Sequence, residues 1–343
     1  MSTILFTSTQ HAAHSHRHPE HAGRIDAILA AIAHDPTCVP MYAASAAVPT
    51  DTLMFVHPPS HIAWVESQSA YAESHPQLDG DTYILPGTGH AAHAAASAAC
   101  NAVDAMIAGH TSFAVVRPPG HHATAHAAMG FCFYNNVAIA ARYAQRVHGI
   151  RRIAIVDIDV HHGNGTDDIF AADADVLYVS SHGWPLYPGS GARDSFGTGA
   201  GYGATLNIPM PAQSGDGAFF HAYKNLVIPA LERFRPELIL LSAGFDAHWD
   251  DPIGNCRLSV NGYLDLCALI QQAATQLCDG RWAAILEGGY SLRALSTCAH
   301  GLVRSMLNLP RLPDPLGTTP SDPHRADATV DWIKTHHPLL IPA

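Results

Sequence analysis

The segment that most constrains the fold comprises residues 153–165, which read IAIVDIDVHHGNG. Its opening run is apolar and rich in β-branched residues, a pattern typical of a strand buried on both faces of a sheet. Two carboxylates and two imidazoles follow, and a buried carboxylate is unfavourable unless a partner or a metal neutralises it. On an extended backbone Asp159 and His161 project to the same side, so together they can hold one cation. The alternative is a strand that ends in a solvated polar loop.

The rest of the chain repeats this alternation of apolar strands and helical patterns. It predicts an α/β fold, a single-domain three-layer sandwich with a mostly parallel central sheet. Polar motifs follow the predicted strands directly, at the edge where open α/β sheets bind ligands. The predicted strands are residues 4–6, 113–116, the start of 153–165, 176–179, 238–241 and 282–286. The predicted helices are 19–33, one just after 58–59, 88–108, 135–147, 166–171, 216–234, 260–278 and a last one that ends near 307.

We expect residues 1–343 to form one domain, with a core that spans residues 19–307. The tail, residues 310–343, is proline-rich and polar, which predicts an extended wrap over the surface or a loosely ordered end. The glycine-rich segment 188–203 is too long for a plain connection, so we expect a functional loop there.

Composition narrows the function classes. The formal net charge of −11 argues against direct nucleic-acid binding, which needs a basic face. The seven cysteines are odd in number and contain no C-x-x-C pair, which favours reduced thiols in the cytoplasm. Since no secretory leader or transmembrane-length segment is visible, we expect no membrane association. Oligomerisation stays open.

The chemistry of the polar motifs indicates a hydrolytic metal site. Such a site uses three protein ligands and leaves one position for water or substrate. Asp246, in a Gly-Phe-Asp turn after a predicted strand, is the best third ligand beside Asp159 and His161. Two carboxylates and one imidazole suit Zn²⁺ first and Fe²⁺ second. Taken alone, Asp246 could simply cap a helix.

The tandem histidines His121 and His122 follow two prolines and a glycine, which stiffen the loop. His122 is a candidate general base and acid. Each ring needs an acceptor for its other nitrogen, and Asp157 and Asn164 can provide it. The alternative is a hydrogen-bonded pair in a turn.

Three aromatic residues complete the candidate site. Tyr290, on a Gly-Gly turn, can donate its hydroxyl to a developing oxyanion, although taken alone it would be a packing residue. Phe131 and Tyr187, in glycine-flanked loops, can line a narrow apolar passage.

Together these motifs resemble the zinc-dependent histone deacetylase family, which has the arginase–deacetylase fold. The residues Asn164 and Glu287 are similar to its class II branch, since class I members usually carry Asp and Gly there. The matching segments are RPPGHHA at 117–123, GFCFYNN at 130–136, DIDVHHGNGT at 157–166, SAGFDA at 242–247 and LEGGY at 286–290.

By position, the resemblance implies that Asp159, His161 and Asp246 bind zinc. It implies that His122 is the general base and acid and that His121 is an electrostatic partner.

The resemblance also assigns supporting roles. Asp157 would orient His121, and Asn164 would orient His122. Tyr290 would polarise the substrate carbonyl together with zinc.

The resemblance further implies an acyl-lysine tunnel and a second ion. Phe131 would form one tunnel wall, and the carbonyl of Gly130 would contact the substrate amide N–H. Tyr187 stands where the family often has Phe, which either narrows the tunnel or offers a hydrogen bond. The implied potassium site would use backbone oxygens of Asp157, Asp159 and His161 together with Ser180.

The implied reaction is hydrolysis of an N-acyl amide, and two substrate classes fit it. Polyamine-selective members tend to carry either a glutamate where this chain has Ile253 or a long insertion before the helix predicted at 88–108. Here the segment 64–86 is short, so both observations favour acyl-lysine substrates. The acidic rim candidates Asp79 and Asp81 would nevertheless accept a cationic amine. Acetylpolyamine therefore stays the alternative substrate.

Two further alternatives remain at this stage. Asp246, His248 and Asp250 resemble the D-x-H-x-D motif of binuclear manganese amidinohydrolases, although its order relative to D-x-D is reversed here. A catalytically inactive acyl-lysine-binding module is the other alternative, although such modules usually lack the tyrosine or a ligand.

Overall fold

The computed structural model describes residues 2–73, 77–78 and 80–341. One eight-stranded sheet crosses the molecule in the order β2-β1-β3-β8-β7-β4-β5-β6, and every neighbouring pair is parallel. The predicted α/β class and sheet type are confirmed. The strands are β1 (Thr3–Thr7), β2 (Met41–Ala44), β3 (Thr111–Ala114), β4 (Ile153–Asp157), β5 (Val176–Trp184), β6 (Thr205–Pro211), β7 (Leu238–Ala243) and β8 (Trp282–Leu286).

Helices cover both faces of this sheet. Short 3-10 turns lie at Thr9–Ala13 and Gly199–Gly201, and a π-helical stretch at Tyr223–Val227 joins two helices. The helices are α1 (Gly23–Ala33), α2 (Thr50–Leu53), α3 (Pro59–Ala70), α4 (Thr88–Ile107), α5 (Asn136–His148), α6 (Asn164–Phe170), α7 (Asp216–Ala222), α8 (Ile228–Phe234), α9 (Val260–Leu277), α10 (Leu292–Met306) and α11 (Asp327–His336).

Strand β4 shows why the sequence produces three layers. Successive side chains of a strand point to opposite faces. Ala154 and Val156 pack into the core beneath α1 and α7–α10, while Ile153 and Ile155 pack into the core beneath α4 and α5. Because both faces are buried, the strand carries four consecutive apolar residues, 153–156, rather than apolar residues at alternate positions.

Several elements differ from the sequence-based expectation, among them two strands, the short helix α2 and the start of the first helix. Strands β2 and β6 are absent from the predicted set, and both form edges of the sheet. The first helix begins at Gly23, not at residue 19. The preceding Glu20 is fully buried and accepts hydrogen bonds from Arg117, so tertiary contacts hold this stretch outside the helix.

The tail is ordered and contains a helix that the sequence pattern does not predict. It wraps the surface, where Arg325 donates to the Ala212 carbonyl. Helix α11 then buries Val330 and Ile333 in the main core. His337 lies 2.8 Å from the Thr205 carbonyl, so the tail covers the β6 edge. None of the helices in the described ranges is both long and apolar enough to cross a bilayer.

Candidate active site

Three side chains at the carboxyl edge of the sheet form a potential metal-binding cluster. Asp159 and His161 follow β4, and Asp246 follows β7, the neighbouring strand. One ligand atom from each of the three lies within 4.8 Å of the others. The strand register explains why the three side chains lie together. Asp157 pairs with Ser242, so the segments that follow β4 and β7 leave the sheet at the same edge.

The electrostatics of this cluster fit a cation. Burial and the neighbouring Asp159 carboxylate raise the pKa of Asp246 to about 7, which reflects two carboxylates that share one enclosed space. Asp246 Oδ1 accepts the Val160 N–H at 2.7 Å, but its Oδ2 is buried without a hydrogen-bond partner. Nδ1 of His161 lies 3.3 Å from that oxygen. An unsatisfied carboxylate oxygen beside an imidazole nitrogen is the arrangement a divalent metal requires.

Gly288 lies against the same carboxylates. Its N–H donates to Asp159 Oδ2 at 2.8 Å, and a Cβ at this position would clash with Asp246 Oδ2 and meet Asp159 Oδ2 at 2.5 Å. Only glycine allows this approach. The two glycines of the LEGGY motif thereby place Tyr290 next to the metal-binding cluster.

The tandem histidines lie beside the cluster in different electrostatic states. Nδ1 of His122 lies 2.8 Å from Asn164 Oδ1, and the Asn164 amide nitrogen points to the Met129 sulfur. The ring therefore donates from Nδ1 and presents Nε2 as an acceptor. Burial, and then the charges of His121 and His161, lower the pKa of His122 well below its usual value. A neutral His122 is suited to accept a proton.

His121 has the opposite character. Its Nδ1 lies 3.0 Å from Asp157 Oδ2. Burial alone would lower its pKa, but the Asp159 and Asp157 carboxylates raise it well above the usual value. This ring therefore keeps its proton. Asp157 also pairs in register with Ser180 on β5, whose hydroxyl contacts His182 Nδ1 at 2.9 Å.

Glu287 supports the same histidine pair, a contact that the sequence motifs do not assign. Its Oε2 accepts the N–H of Gly120 at 2.6 Å and of His121 at 3.1 Å. Its Oε1 accepts the Ser242 hydroxyl. Burial raises the pKa of Glu287 to about 7, although the His121 charge opposes the shift. A single buried acid thus fixes the backbone that carries both rings.

A cavity of about 350 Å³ opens over these groups. Phe131 forms one wall with φ of +68°, an uncommon conformation for a bulky residue that indicates a functional constraint. Tyr187 forms another wall, and its ring centroid lies 5.1 Å from that of His122. The other lining residues are His18, Pro19, Asp81, His122, Gly130, His161, Leu186, Ile253 and Tyr290.

Gly130 and Asp81, one of the two acidic rim candidates, line the cavity. Gly130 has φ of +56°, and a Cβ there would meet the His122 ring at 2.5 Å, so glycine is required beside this ring. Asp81 is exposed at the rim. Asp79 lies outside the described residues. His18, whose ring contacts Phe131 edge-on at 4.6 Å, belongs to no motif that would have identified it from sequence.

Tyr290 also lines the cavity, and its ring centroid lies 5.8 Å from that of Phe131. Burial raises the pKa of its hydroxyl well above the usual value, so it remains a proton donor at neutral pH. The Arg24 guanidinium lies over its ring at 5.0 Å and donates to the carbonyls of Glu287 and Gly289. No sequence motif points to Arg24, because the contact joins α1 to a distant loop.

His248 and Asp250, the other two residues of the D-x-H-x-D motif, have partners outside the Asp159–His161–Asp246 cluster. Asp250 binds Ser291 and Arg293, and His248 accepts the Asp250 N–H. Among the described residues, neither belongs to a metal-type cluster with Asp246. This geometry gives the binuclear alternative no support.

Comparison with known proteins agrees with this architecture. Residues 18–306 match the family description "Histone deacetylase domain". "Histone deacetylase 10, chloroplastic" of Oryza sativa subsp. japonica is 38% identical over 304 residues, which are 84% of this chain and 69% of that protein. "Polyamine deacetylase HDAC10" of Homo sapiens is 40% identical over 276 residues, 77% of this chain and 40% of that protein.

A solved structure, that of the HDA15 HD domain, superposes with a TM-score of 0.87 at 33% identity and covers 99% of this chain and 96% of its own. The chain spans only about half the length of further plant deacetylases that it matches. The matched domain includes the tandem histidines, the carboxylate–imidazole cluster and the glycine turn before Tyr290. This chain belongs to the histone deacetylase family of hydrolases.

Proposed function

We propose that the protein is a zinc-dependent amidohydrolase that removes acetyl or other short acyl groups from N-acyl-lysine side chains. The observation that carries the proposal is the convergence of the Asp159–His161–Asp246 cluster, the neutral His122 and the protonated Tyr290 around one cavity. Hydrolysis of an unactivated amide needs a nucleophile, a proton acceptor and an oxyanion donor, and these groups supply all three functions.

Asp159, His161 and Asp246 would hold the ion, with Zn²⁺ first and Fe²⁺ second. When bound there, such an ion would supply Lewis-acid chemistry, lowering the pKa of a water molecule and polarising a carbonyl. A structural potassium ion under the cluster, with Asp157 and Ser180 among its ligands, is part of the proposal. The adjacency of those two residues across β4 and β5 supports it.

The chain's own groups would then move the protons. His122 Nε2 would take a proton from the attacking water and pass it to the leaving nitrogen, so that one water and one amide yield a carboxylic acid and an amine. Its Nδ1–H, held by Asn164, fixes the ring for both transfers. The positively charged His121 would stabilise developing negative charge, and Tyr290 would donate to the oxyanion.

The cavity walls would select a slender acylated side chain. Phe131 and Tyr187 would flank its methylene stem, and the Gly130 carbonyl would accept the amide N–H. Ile253 at the rim is neutral, which favours acyl-lysine over an acylated polyamine. Deacetylation of polyamines is the alternative, because a human relative carries that function in its name and Asp81 adds negative charge at the rim.

A direct test compares kcat/KM for an acetyl-lysine peptide and for N8-acetylspermidine, with purified protein of known metal content. The proposal expects a preference for the peptide. A strong preference for acetylspermidine would transfer the assignment to polyamines. Binding of acyl peptides without turnover would instead identify an inactive binding module.

The cellular location belongs to the same proposal. All seven cysteines are unpaired and buried, which fits the reducing cytoplasm. The rice relative is named as chloroplastic, also a compartment in which protein thiols can be reduced. Fractionation of cells that express the protein would distinguish the cytoplasm from an organelle.

A further inference from the structure

One buried carboxylate joins the two loops that carry the cavity-lining residues Ile253 and Tyr290. Asp251 Oδ2 accepts the backbone N–H of Tyr290 at 2.7 Å and of Ser291 at 3.0 Å. Its Oδ1 accepts the N–H of Ile253 at 3.0 Å and of Gly254 at 3.3 Å. Asp251 is only 9% exposed, so these four donors have little access to water as a replacement.

The two loops have different roles in the proposed reaction. One loop carries Tyr290. The other loop carries Ile253 at the rim and then passes against Asp246 of the metal-binding cluster, since a Cβ on Gly254 would clash with the Asp246 carbonyl oxygen. In the part of the chain that the structure describes, no backbone–backbone hydrogen bond joins residues 250–254 to residues 288–291. The Asp251 carboxylate therefore provides the polar link from the rim loop to the Tyr290 backbone.

We propose that Asp251 is a positioning residue that sets the location of the Tyr290 hydroxyl relative to the metal cluster. The inference rests on the proposed function, in which Tyr290 donates to the oxyanion. A hydroxyl that donates to a developing charge must be placed to within a fraction of an ångström, and a shift of about 1 Å can lower a rate by about 100-fold. Asp251 holds the Tyr290 backbone, and Arg24 and Phe131 contact its ring.

Asp251→Asn is the informative substitution because it keeps the shape and removes half of the acceptors. An amide has one oxygen and one NH₂ group, so in either orientation two backbone N–H groups face a donor instead of an acceptor. The buried unmet donors must move or remain unsatisfied. If the inference holds, kcat falls roughly 10- to 100-fold while KM changes little.

A double-mutant cycle with Tyr290→Phe separates positioning from a general structural effect. Residues that act as a unit show non-additive effects. Once the hydroxyl is absent its position no longer matters, so Asp251→Asn should lower the residual kcat of Tyr290→Phe by less than about 3-fold. An equal loss in both backgrounds would overturn the inference, as would wild-type kcat in Asp251→Asn.

Asp250→Asn is the matched control. It makes the same chemical change one residue earlier, but Asp250 accepts from the Ser291 hydroxyl and from Arg293 rather than from the Tyr290 backbone. Its kcat should remain within about 3-fold of wild type, since an ion pair that water can reach contributes little. Metal content and the unfolding midpoint of each variant are measured alongside the rates.

Two outcomes distinguish this inference from the proposed function itself. If Tyr290→Phe keeps full activity, the assigned role of Tyr290 fails before Asp251 is considered. If Tyr290→Phe is impaired and the cycle is additive, only the positioning role fails. Should Asp251→Asn lose metal or fold poorly, Asp251→Ser replaces it in the cycle, because the shorter side chain leaves room for a bridging water.

Discussion

Nδ1 of His122 lies 2.8 Å from the side-chain oxygen of Asn164. The partner is a neutral amide, whereas His121 faces the carboxylate of Asp157. Two adjacent imidazoles thus have partners of different charge, and their pKa values move in opposite directions. One ring is therefore neutral and the other charged, and in the proposed reaction these states suit proton transfer and charge stabilisation respectively.

Asn164→Asp should move the acid limb of the pH–rate profile to higher pH. In the proposed reaction His122 acts as a base in its neutral form, so activity is present above the pKa of His122 and is lost as the pH falls through that pKa. Its pKa is lowered in the wild type, and a carboxylate at this distance would raise it by about one to three units. The measurement is kcat/KM against pH. Asn164→Ala should lower activity without an upward movement of the limb, and coincident limbs in the Asn164→Asp variant and the wild type would remove His122 as the titrating base.

Removal of the metal should abolish activity, and the Asp246→Asn variant should stay inactive when Zn²⁺ is added. Dialysis against a chelator would strip the ion, and added Zn²⁺ should restore turnover in the wild type. Asp246→Asn loses one of the negative ligands, so its affinity for the ion falls steeply. Elemental analysis should find one zinc or iron ion per wild-type chain, and added Zn²⁺ should raise the unfolding midpoint of the stripped wild type but not of the variant. Undiminished activity after full chelation would contradict the metal site.

Tyr290→Phe should retain the metal and lose activity by about 100-fold or more, as expected for one oxyanion donor. The loss should appear in kcat, because the hydroxyl contributes mainly as charge develops. Steady-state kinetics and elemental analysis check both statements. Tyr71→Phe, at a residue that is 71% exposed, provides the control. Full activity of Tyr290→Phe would show that the hydroxyl takes no part in the reaction.

Ile253→Glu should shift the substrate preference toward acetylated polyamines. Ile253 lines the cavity, and a carboxylate there would attract the second ammonium group of a polyamine and leave a neutral peptide backbone unaffected. We expect the ratio of kcat/KM values to change by roughly 10-fold, which corresponds to about 1.4 kcal/mol of charge attraction. Ile253→Gln supplies the neutral control of similar size. An unchanged ratio would mean that the rim at this position does not contact the distal amine.

The tail helix should contribute measurably to stability. Ile333 on α11 is fully buried in the main core, so Ile333→Ala should lower the free energy of unfolding by about 2–5 kcal/mol. Denaturant titration followed by circular dichroism measures the difference. Lys334→Ala, one residue along on the exposed face, should change it by less than about 0.5 kcal/mol. Equal stability of the two variants would indicate that α11 is not anchored to the core.

Several elements could be predicted from local sequence because they are repetitive. The strands β4 and β7 each contain a run of four apolar residues, and the long helices α4 and α9 extend over enough residues for periodicity and capping to show. The edge strands β2 and β6 escape prediction for different reasons: β2 has only four residues and is mostly exposed, and β6 contains two prolines and an asparagine. Helix α11 escapes it because the proline-rich chain before it dominates the pattern of the tail.

The sequence by itself determined the chemistry: the carboxylate and imidazole pairs, the tandem histidines and the Gly-Gly-Tyr turn stand in short contiguous motifs whose residue types are informative without coordinates. Only the tertiary structure decided which groups support them. The supporting groups are Arg24, Asp251 and Glu287, which form hydrogen bonds with the backbone of loops far away in the chain. A single charged residue has no periodicity in the sequence that would reveal its partner. Their contacts exist because parallel strands deliver separate loops to one edge of the sheet, where buried backbone N–H and carbonyl groups require partners.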